Sequence, residues 1–405
     1  MRLDVLRGCR RWSCARETRE ALNRRGFIYL VSLLFTLFLT IASASMLLRA
    51  MSETSLSERS RSQAEALHLA DAAVDQAAIN LRTPTDTTDD VTALTLPTGS
   101  FQIDAPPTSI AALTWKVTTH GVSAKDPSHP ANIEAVFVLT PQSVFQFAMF
   151  GSQQVNVSGS TTTDSFNSAN GPYNNTPGPG YNAGHHGDVG TNGTTPGGVT
   201  VSGSIFVDGQ VAVGPNVADP TSVVTGYNPS FITGNPKVAS QSSPFPLPAV
   251  TVPSGLTCSD YTVGGNSTIT LAPGTYCYSS LTLQGGGTLT ASGPVTIYLT
   301  GALVAKGNSS VGVVSDPTKM MFLMASGGAA TLEQGTITGS TNFYGGLYGP
   351  DATINITGNA AVYGSIVANR VNLTGSAEIH YDQALTNNTQ VSNLYKTSLK
   401  YWRKL

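Results

Sequence analysis

Tyr344-Gly-Gly-Leu-Tyr-Gly349, followed by Ile354-Asn-Ile-Thr-Gly-Asn-Ala360, returns as Tyr363-Gly-Ser-Ile-Val-Ala368 followed by Val371-Asn-Leu-Thr-Gly-Ser-Ala377. Tyr344 to Tyr363 is 19 residues and Ile354 to Val371 is 17. A short period built of tiny strands and turns points to stacked coils. Each strand is too short to bury its apolar side chains alone. Stacking aligns Val, Ile and Leu into an internal ladder and lets each backbone bond to the next. Gly and Asn suit the turns because they tolerate positive φ.

The same texture extends outward over residues 141–382. Val155-Asn-Val-Ser-Gly-Ser160, Val199-Thr-Val-Ser-Gly-Ser-Ile-Phe-Val207, Val211-Ala-Val213, Ile269-Thr-Leu271, Leu281-Thr-Leu283 and Val295-Thr-Ile-Tyr-Leu299 are further short alternations. The expected architecture is a right-handed parallel β-helix, a solenoid, over 141–382. A β-sandwich is the competing one, since it also makes many short strands. Residues 166–198 form an Asn/Gly/Pro-rich excursion, and the proline-rich stretch 215–254 reads as a loop crossing the coils.

Upstream, Leu67, Ala70, Val74, Ala77 and Leu81 recur at spacings of 3 and 4 within good helix formers. That is an apolar stripe on one helix face, ended by Pro84. It needs a surface to pack on. Alternating runs at 100–104, 113–118 and 133–139 predict three short strands of a small antiparallel sheet, a pilin-like arrangement. The last residues, 383–405, turn basic and read as a short helix or a frayed tail.

Between Arg25 and Arg49 there is no charged residue, and eight arginines precede this run. A bilayer core takes roughly 20 apolar residues of helix, and an excess of Arg holds its end in the cytoplasm. The chain therefore divides into a basic cytoplasmic leader (1–25), a transmembrane helix (26–49), a helical stalk (50–82), a small β region (83–140), the coiled domain (141–382) and a tail (383–405). The bulk of the chain is expected outside a bacterial inner membrane. A secretory signal cleaved near Ala42-Ser43-Ala44 is the alternative.

Only 11% of the 405 residues are charged and the net charge is −2. From 141 to 382 the only basic residues are Lys237, Lys306, Lys319 and Arg370, so nucleic acid is excluded as a partner. Cys258 and Cys277 lie in the exported part and are a candidate disulfide, the alternative being two free buried thiols. His185-His186-Gly-Asp188 is one ligand-like cluster, but adjacent histidines diverge and it reads as a polar loop tip. Tyr276, Tyr278, Tyr298, Tyr344, Tyr348 and Tyr363 could line an aromatic sugar-binding strip; edge packing is the plainer reading. No two carboxylates of the coiled region form a close pair in sequence. We therefore expect no catalytic residue, no cofactor and no metal. A membrane-tethered β-helix that binds or cleaves polysaccharide is the alternative function, and an end-to-end polymerising scaffold the third.

The first 82 residues resemble the N-terminal region of PilX-type type IV pilus assembly proteins. Arg24-Arg25-Gly26-Phe27, the apolar span and the helix Gln63-Ala-Glu-Ala-Leu-His-Leu-Ala-Asp-Ala-Ala-Val-Asp-Gln-Ala77 carry the likeness. Residues 141–382 look like β-solenoid modules found behind such anchors and are similar to bactofilins, on Leu271-Ala-Pro-Gly-Thr-Tyr276 and Gly293-Pro-Val-Thr-Ile-Tyr-Leu-Thr-Gly301. The resemblance implies a non-enzymatic role in pilus assembly and adhesion at the cell surface. Pilin-like or pilus assembly proteins are the implied partners, with surface glycans as a further candidate. It also implies prepilin cleavage between Gly26 and Phe27. Val31 would then stand at the fifth mature position, where pilins usually carry Glu. That removes the carboxylate thought to pair with a neighbour's α-amino group in lipid.

Overall fold

The computed structural model describes residues 13–85, 90–104, 106–326, 334–391 and 394–405. The start of the basic leader with Cys9, part of the Thr/Asp cluster after Pro84, and Glu333 lie outside the described residues, and side chains are described from Phe27 onward.

One helix runs from Ser13 to Asn80, 68 residues, roughly 100 Å at 1.5 Å per residue. It changes character along its length. From Phe27 to Arg61 no side chain is buried. Among the described residues it is the one helix long and apolar enough to cross a membrane. From Ser62 onward a buried face appears. Ala66, Ala70, Val74, Ala77 and Leu81 pack against Ile103, Val117, Ala131, Ile133, Ala135, Phe137 and Leu139.

Those last residues belong to an antiparallel sheet. Its strands are β1 (Ala93–Leu96), β2 (Gly99–Ile103), β3 (Thr108–Ala111), β4 (Thr114–Ser123), β5 (Asp126–Pro141) and a C-terminal strand, Tyr395–Lys404. The order is β1, β2, β4, β5, C-terminal strand, with β3 paired to β4. Two expectations are corrected here. The sheet has six strands where three were expected, and residues 395–404 are neither helix nor frayed tail. Their backbone pairs with β5 from Tyr395 opposite Pro141 to Lys404 opposite Ile133, which satisfies groups a tail would leave to water.

The remaining strands form one 20-stranded, parallel-paired sheet wound into coils. The expected plain right-handed β-helix is corrected, because the spatial order of the coils is not the chain order. The first coil carries β6 (Met149–Gly159) and β7 (Thr162–Phe166). On one side they pair with Ala361–Gly375 and Glu378–Asp382, the last strands of the stack in sequence. On the other, β6 pairs with Val189–Thr191 and Val199–Gly203. The chain thus starts in the middle, builds outward to Val238–Ser240 and then crosses over. It restarts at Ser259–Val263 at the opposite end and stacks back until it closes on its own first coil. Every coil offers the same backbone edges above and below, so any coil can sit on any other.

The crossing segment is held in place coil by coil. Asn192 and Phe245 exchange two bonds, Nδ2 to the Phe245 carbonyl at 2.8 Å and the Phe245 N–H to Oδ1 at 2.7 Å. The Tyr348 hydroxyl donates to the Pro248 carbonyl. The Val250 N–H donates to Ser326 Oγ at 2.9 Å. Beneath it Phe145, Phe150, Phe245, Met321, Tyr348 and Val367 make a second apolar cluster outside the coil interior.

Inside the coils the apolar ladder is in register: Ile354, Val371, Val155 and Val199 lie opposite one another in succession. The Gly that ends each phrase forms a corner column. Gly339, Gly358, Gly375, Gly159 and Gly203 have φ between +77° and +101°, and a Cβ on Gly159 would lie 2.3 Å from the Gly375 carbonyl oxygen. Only Gly takes that corner without strain.

Candidate functional site

Two surfaces of the coiled domain carry regular arrays of polar side chains. The first faces solvent along the strands that contain the sequence repeat. Asn355, Asn372 and Asn156 are opposite one another on successive strands, and Thr200 follows. Asn156 Nδ2 donates to Asn372 Oδ1 at 2.8 Å, and Asn372 Nδ2 to Asn355 Oδ1 at 2.8 Å. A parallel row of Thr338, Thr357 and Thr374 runs two residues further along. With strands about 4.8 Å apart, this is a flat lattice of hydroxyl and amide groups, charged only at its margin by Arg370. Arg370 is itself bonded to Gln153 at 2.9 Å.

The second is a column of rings at the seam where the chain closes on itself. Tyr344 faces Tyr363, Tyr363 faces His380, and His380 faces Asp164. The Tyr344 and Tyr363 rings stack at 4.6 Å and 10°. His380 stacks on Tyr363 at 4.8 Å and on Tyr173 at 3.9 Å, and the two tyrosine rings are themselves 5.8 Å apart. Tyr173 comes from the Asn/Gly/Pro-rich excursion, which folds back over the seam. His380 Nδ1 and Asp164 Oδ1 are 2.6 Å apart, and the Tyr173 hydroxyl donates to Asp164 Oδ2 at 2.6 Å. Glu378 Oε2 reaches His380 Nε2 at 3.3 Å.

Burial opposes the charged imidazolium of His380, but the bonds to Asp164 and then Glu378 outweigh it and hold its pKa above the ordinary value. Glu378 is lowered by its bond from His380. Burial, then the neighbouring Tyr363, pushes Tyr344 up to about 12. Burial and the bond to Asp164 push Tyr173 well up. Both oxygens of Asp164 and both ring nitrogens of His380 are engaged by neighbours. The arrangement is that of a clasp between coils.

The residues singled out from sequence fall in several places. Gly26 and Phe27 lie within the continuous N-terminal helix, with Phe27 67% exposed. Ala70, Val74, Ala77 and Leu81 are buried on the sheet, and Leu67 lies at the edge of that contact. Cys258 and Cys277 are bonded, with Cα atoms 4.6 Å apart, and tie the restarting strand to the next coil. His185 Nδ1 pairs with Asp208 Oδ2 at 2.7 Å, while Asp188 turns away and accepts from the Gln210 N–H at 2.6 Å.

The six tyrosines do not form one strip. Tyr344 and Tyr363 are in the seam column, Tyr348 and Tyr298 belong to the cluster under the crossing segment, Tyr278 stacks on Tyr261 at the far end of the stack, and the Tyr276 hydroxyl donates to the Ala272 carbonyl at 2.9 Å. Sequence reading missed His380, Asp164 and Tyr173. A signal existed for the first: Phe343-Tyr344, Val362-Tyr363 and Ile379-His380 share one phase of the repeat.

Residues 281–388 match a family described as "Domain of unknown function (DUF7305)". No curated protein matches the chain. Among solved structures, the chain is similar to the competence-associated pilin ComZ from Thermus thermophilus, with 12% identity, 85% of this chain and 97% of that one covered, and a TM-score of 0.30. It is also similar to the DUF3494 domain of Shewanella frigidimarina ice-binding protein_1 (14% identity, 59% and 95% covered, TM-score 0.29). A third is an ice-binding protein from the Antarctic ascomycete Antarctomyces psychrotrophicus (15% identity, 60% and 100% covered, TM-score 0.32).

Proposed function

We propose that this chain is a membrane-anchored, outward-facing structural protein of the type IV pilus or a related secretion machine, PilX-like in its anchor and without catalytic activity. One observation carries the reading. A single helix is exposed and apolar over Phe27–Leu48, and then buries a small-residue face on an antiparallel sheet. An exposed apolar stretch of that length is stable in lipid or among other apolar helices, and is costly in water. The arginines before it place the leader in the cytoplasm by the positive-inside rule, so the sheet and coils lie on the outer side of a bacterial inner membrane. The coils add a stiff, nearly uncharged surface, and the Asn/Thr lattice is where partner proteins or neutral surface glycans would be met.

N-terminal sequencing of the mature protein tests the proposal. A chain beginning at Phe27 indicates pilin-like processing and one beginning at Met1 a permanent anchor. Both leave the span in place. A chain beginning beyond Ala44 removes the anchor and overturns the proposal.

A further inference from the structure

Among the described residues the main path of the antiparallel sheet ends in two open edge strands, and they match; β3 is a third edge strand, paired only to β4. At one edge the C-terminal strand pairs with β5 and, among the described residues, with nothing on its other side. It is ten residues long, free of proline and exposed over nearly its whole length. Natural edges are guarded by lysines and bulges. This one has both, with Lys396, Lys400, Arg403 and Lys404 and a register shift at Lys400. It also exposes large apolar groups that a merely guarded edge would lack, Leu399 at 47% and Trp402 at 45%. At the other edge β1 exposes Leu94 at 44% and Leu96 at 39%.

The parity of these side chains is the informative point. Leu399 and Trp402 lie opposite Phe137 and Ala135, which face the helix. Leu94 lies opposite Phe101, which packs under Leu69 and Ala73 of the same helix. All four leucine and tryptophan side chains therefore stand on the helix-bearing face, on either side of the helix. Direction matches as well. Four antiparallel steps separate β1 from the C-terminal strand, so the two run the same way. The helix lies along β4, since Glu65 meets Ser123 and Ala70 meets Thr119. Two copies side by side with both helices in one membrane thus present these edges in parallel. Self-pairing of two C-terminal strands would set Lys396, Lys400 and Lys404 against the same lysines of the other copy, which is unfavourable, while Arg403 is paired to Glu134.

We infer that the C-terminal strand of one copy pairs in parallel with the β1 edge of a second copy of this chain, joining Leu399 and Trp402 to Leu94 and Leu96 in one apolar strip between neighbouring helices. The contact is head-to-tail, so each copy offers a free edge to the next, in a ring or in an open row. It deepens the membrane-anchored reading, on which its geometry rests.

Site-directed crosslinking in membranes tests it with the full chain in a Cys9→Ser, Cys14→Ser background. One copy carries Thr95→Cys; the other carries a cysteine in turn at Ser398, Tyr401 or Arg403, all on the sheet face opposite the helix. The expected result is an oxidant-dependent dimer from the mixed copies for at least one position, and a ladder when both cysteines are in one chain. Leu399→Asp with Trp402→Asp, both at exposed positions of the strip, should lower the yield several-fold. The inference is overturned if yields do not exceed those with Ser222→Cys replacing Thr95→Cys, or if Thr95→Cys crosslinks to a different protein instead. Carbonate extraction of the same membranes separates the two claims: release of the chain defeats the anchor, while absence of a crosslink in retained chain defeats the edge contact.

Discussion

Gly121 of β4 sits directly under Ala66 of the helix. A Cβ at Gly121 would lie 2.2 Å from the Ala66 carbonyl oxygen and 2.3 Å from the Ala70 nitrogen. The helix backbone rests on the sheet backbone there. Thr119 Oγ1 donates to the Ala70 carbonyl at 3.0 Å, and Ser123 Oγ to Glu65 Oε2 at 3.0 Å. Small residues on the helix stripe and a glycine on the strand are one feature seen from two sides.

Gly121→Val forces that interface apart. We expect a loss on the order of 3 kcal/mol, read as earlier proteolysis within 62–81 and a lower melting temperature of the detergent-solubilised chain. Ser123→Ala, which removes the buried Ser123 hydroxyl and its bond to Glu65, should cost about 1 kcal/mol.

The seam should be pH-dependent. The folded pKa of His380 is raised, so its contribution is fully present below the unfolded value near 6.5 and is lost as pH rises through the higher folded one. The lowered pKa of Glu378 acts oppositely in acid: its contribution is present above the unfolded value and is lost as pH falls through the folded one. Melting curves of the wild type should thus show stability declining above neutrality, and His380→Gln should flatten that limb.

Cys277→Ser, or reduction, opens a 19-residue closure worth about 3 kcal/mol. The loss should be local. Hydrogen exchange should quicken in Ser259–Leu271, the terminal coil, before it does at Ile354–Gly375.

Tyr348→Phe leaves the Pro248 carbonyl without its hydroxyl partner in a buried cluster. A cost of roughly 1–3 kcal/mol is expected, together with protease sensitivity appearing between Gln241 and Cys258, where the chain crosses the stack.

Much of this was legible beforehand, for physical reasons. The helix stripe was readable because alanines and leucines at spacings of 3 and 4 admit one face only. The coil texture was readable because Thr-Gly and Ser-Gly endings mark corners that need positive φ. The order of the coils was not read, yet a clue lay in the phrases Ile354-Asn-Ile-Thr-Gly358, Val371-Asn-Leu-Thr-Gly375, Val155-Asn-Val-Ser-Gly159 and Val199-Thr-Val-Ser-Gly203, which are stacked in that succession. Chain distance hid it, since Val371 and Val155 are far apart in sequence. The C-terminal strand escaped because both its faces are exposed, so no alternation marks it. The tyrosine strip failed because Tyr344 stacks in the seam column while Tyr348, four residues on, is buried in the cluster under the crossing segment.

The central claim is that the span stays in the membrane while the coils project outward. The most direct measurement is labelling of Ser222→Cys, an exposed coil position, with a membrane-impermeant maleimide in intact spheroplasts, followed by carbonate washing. The account predicts labelled chain in the washed pellet. Labelling only after lysis, or labelled chain in the carbonate supernatant, would contradict it.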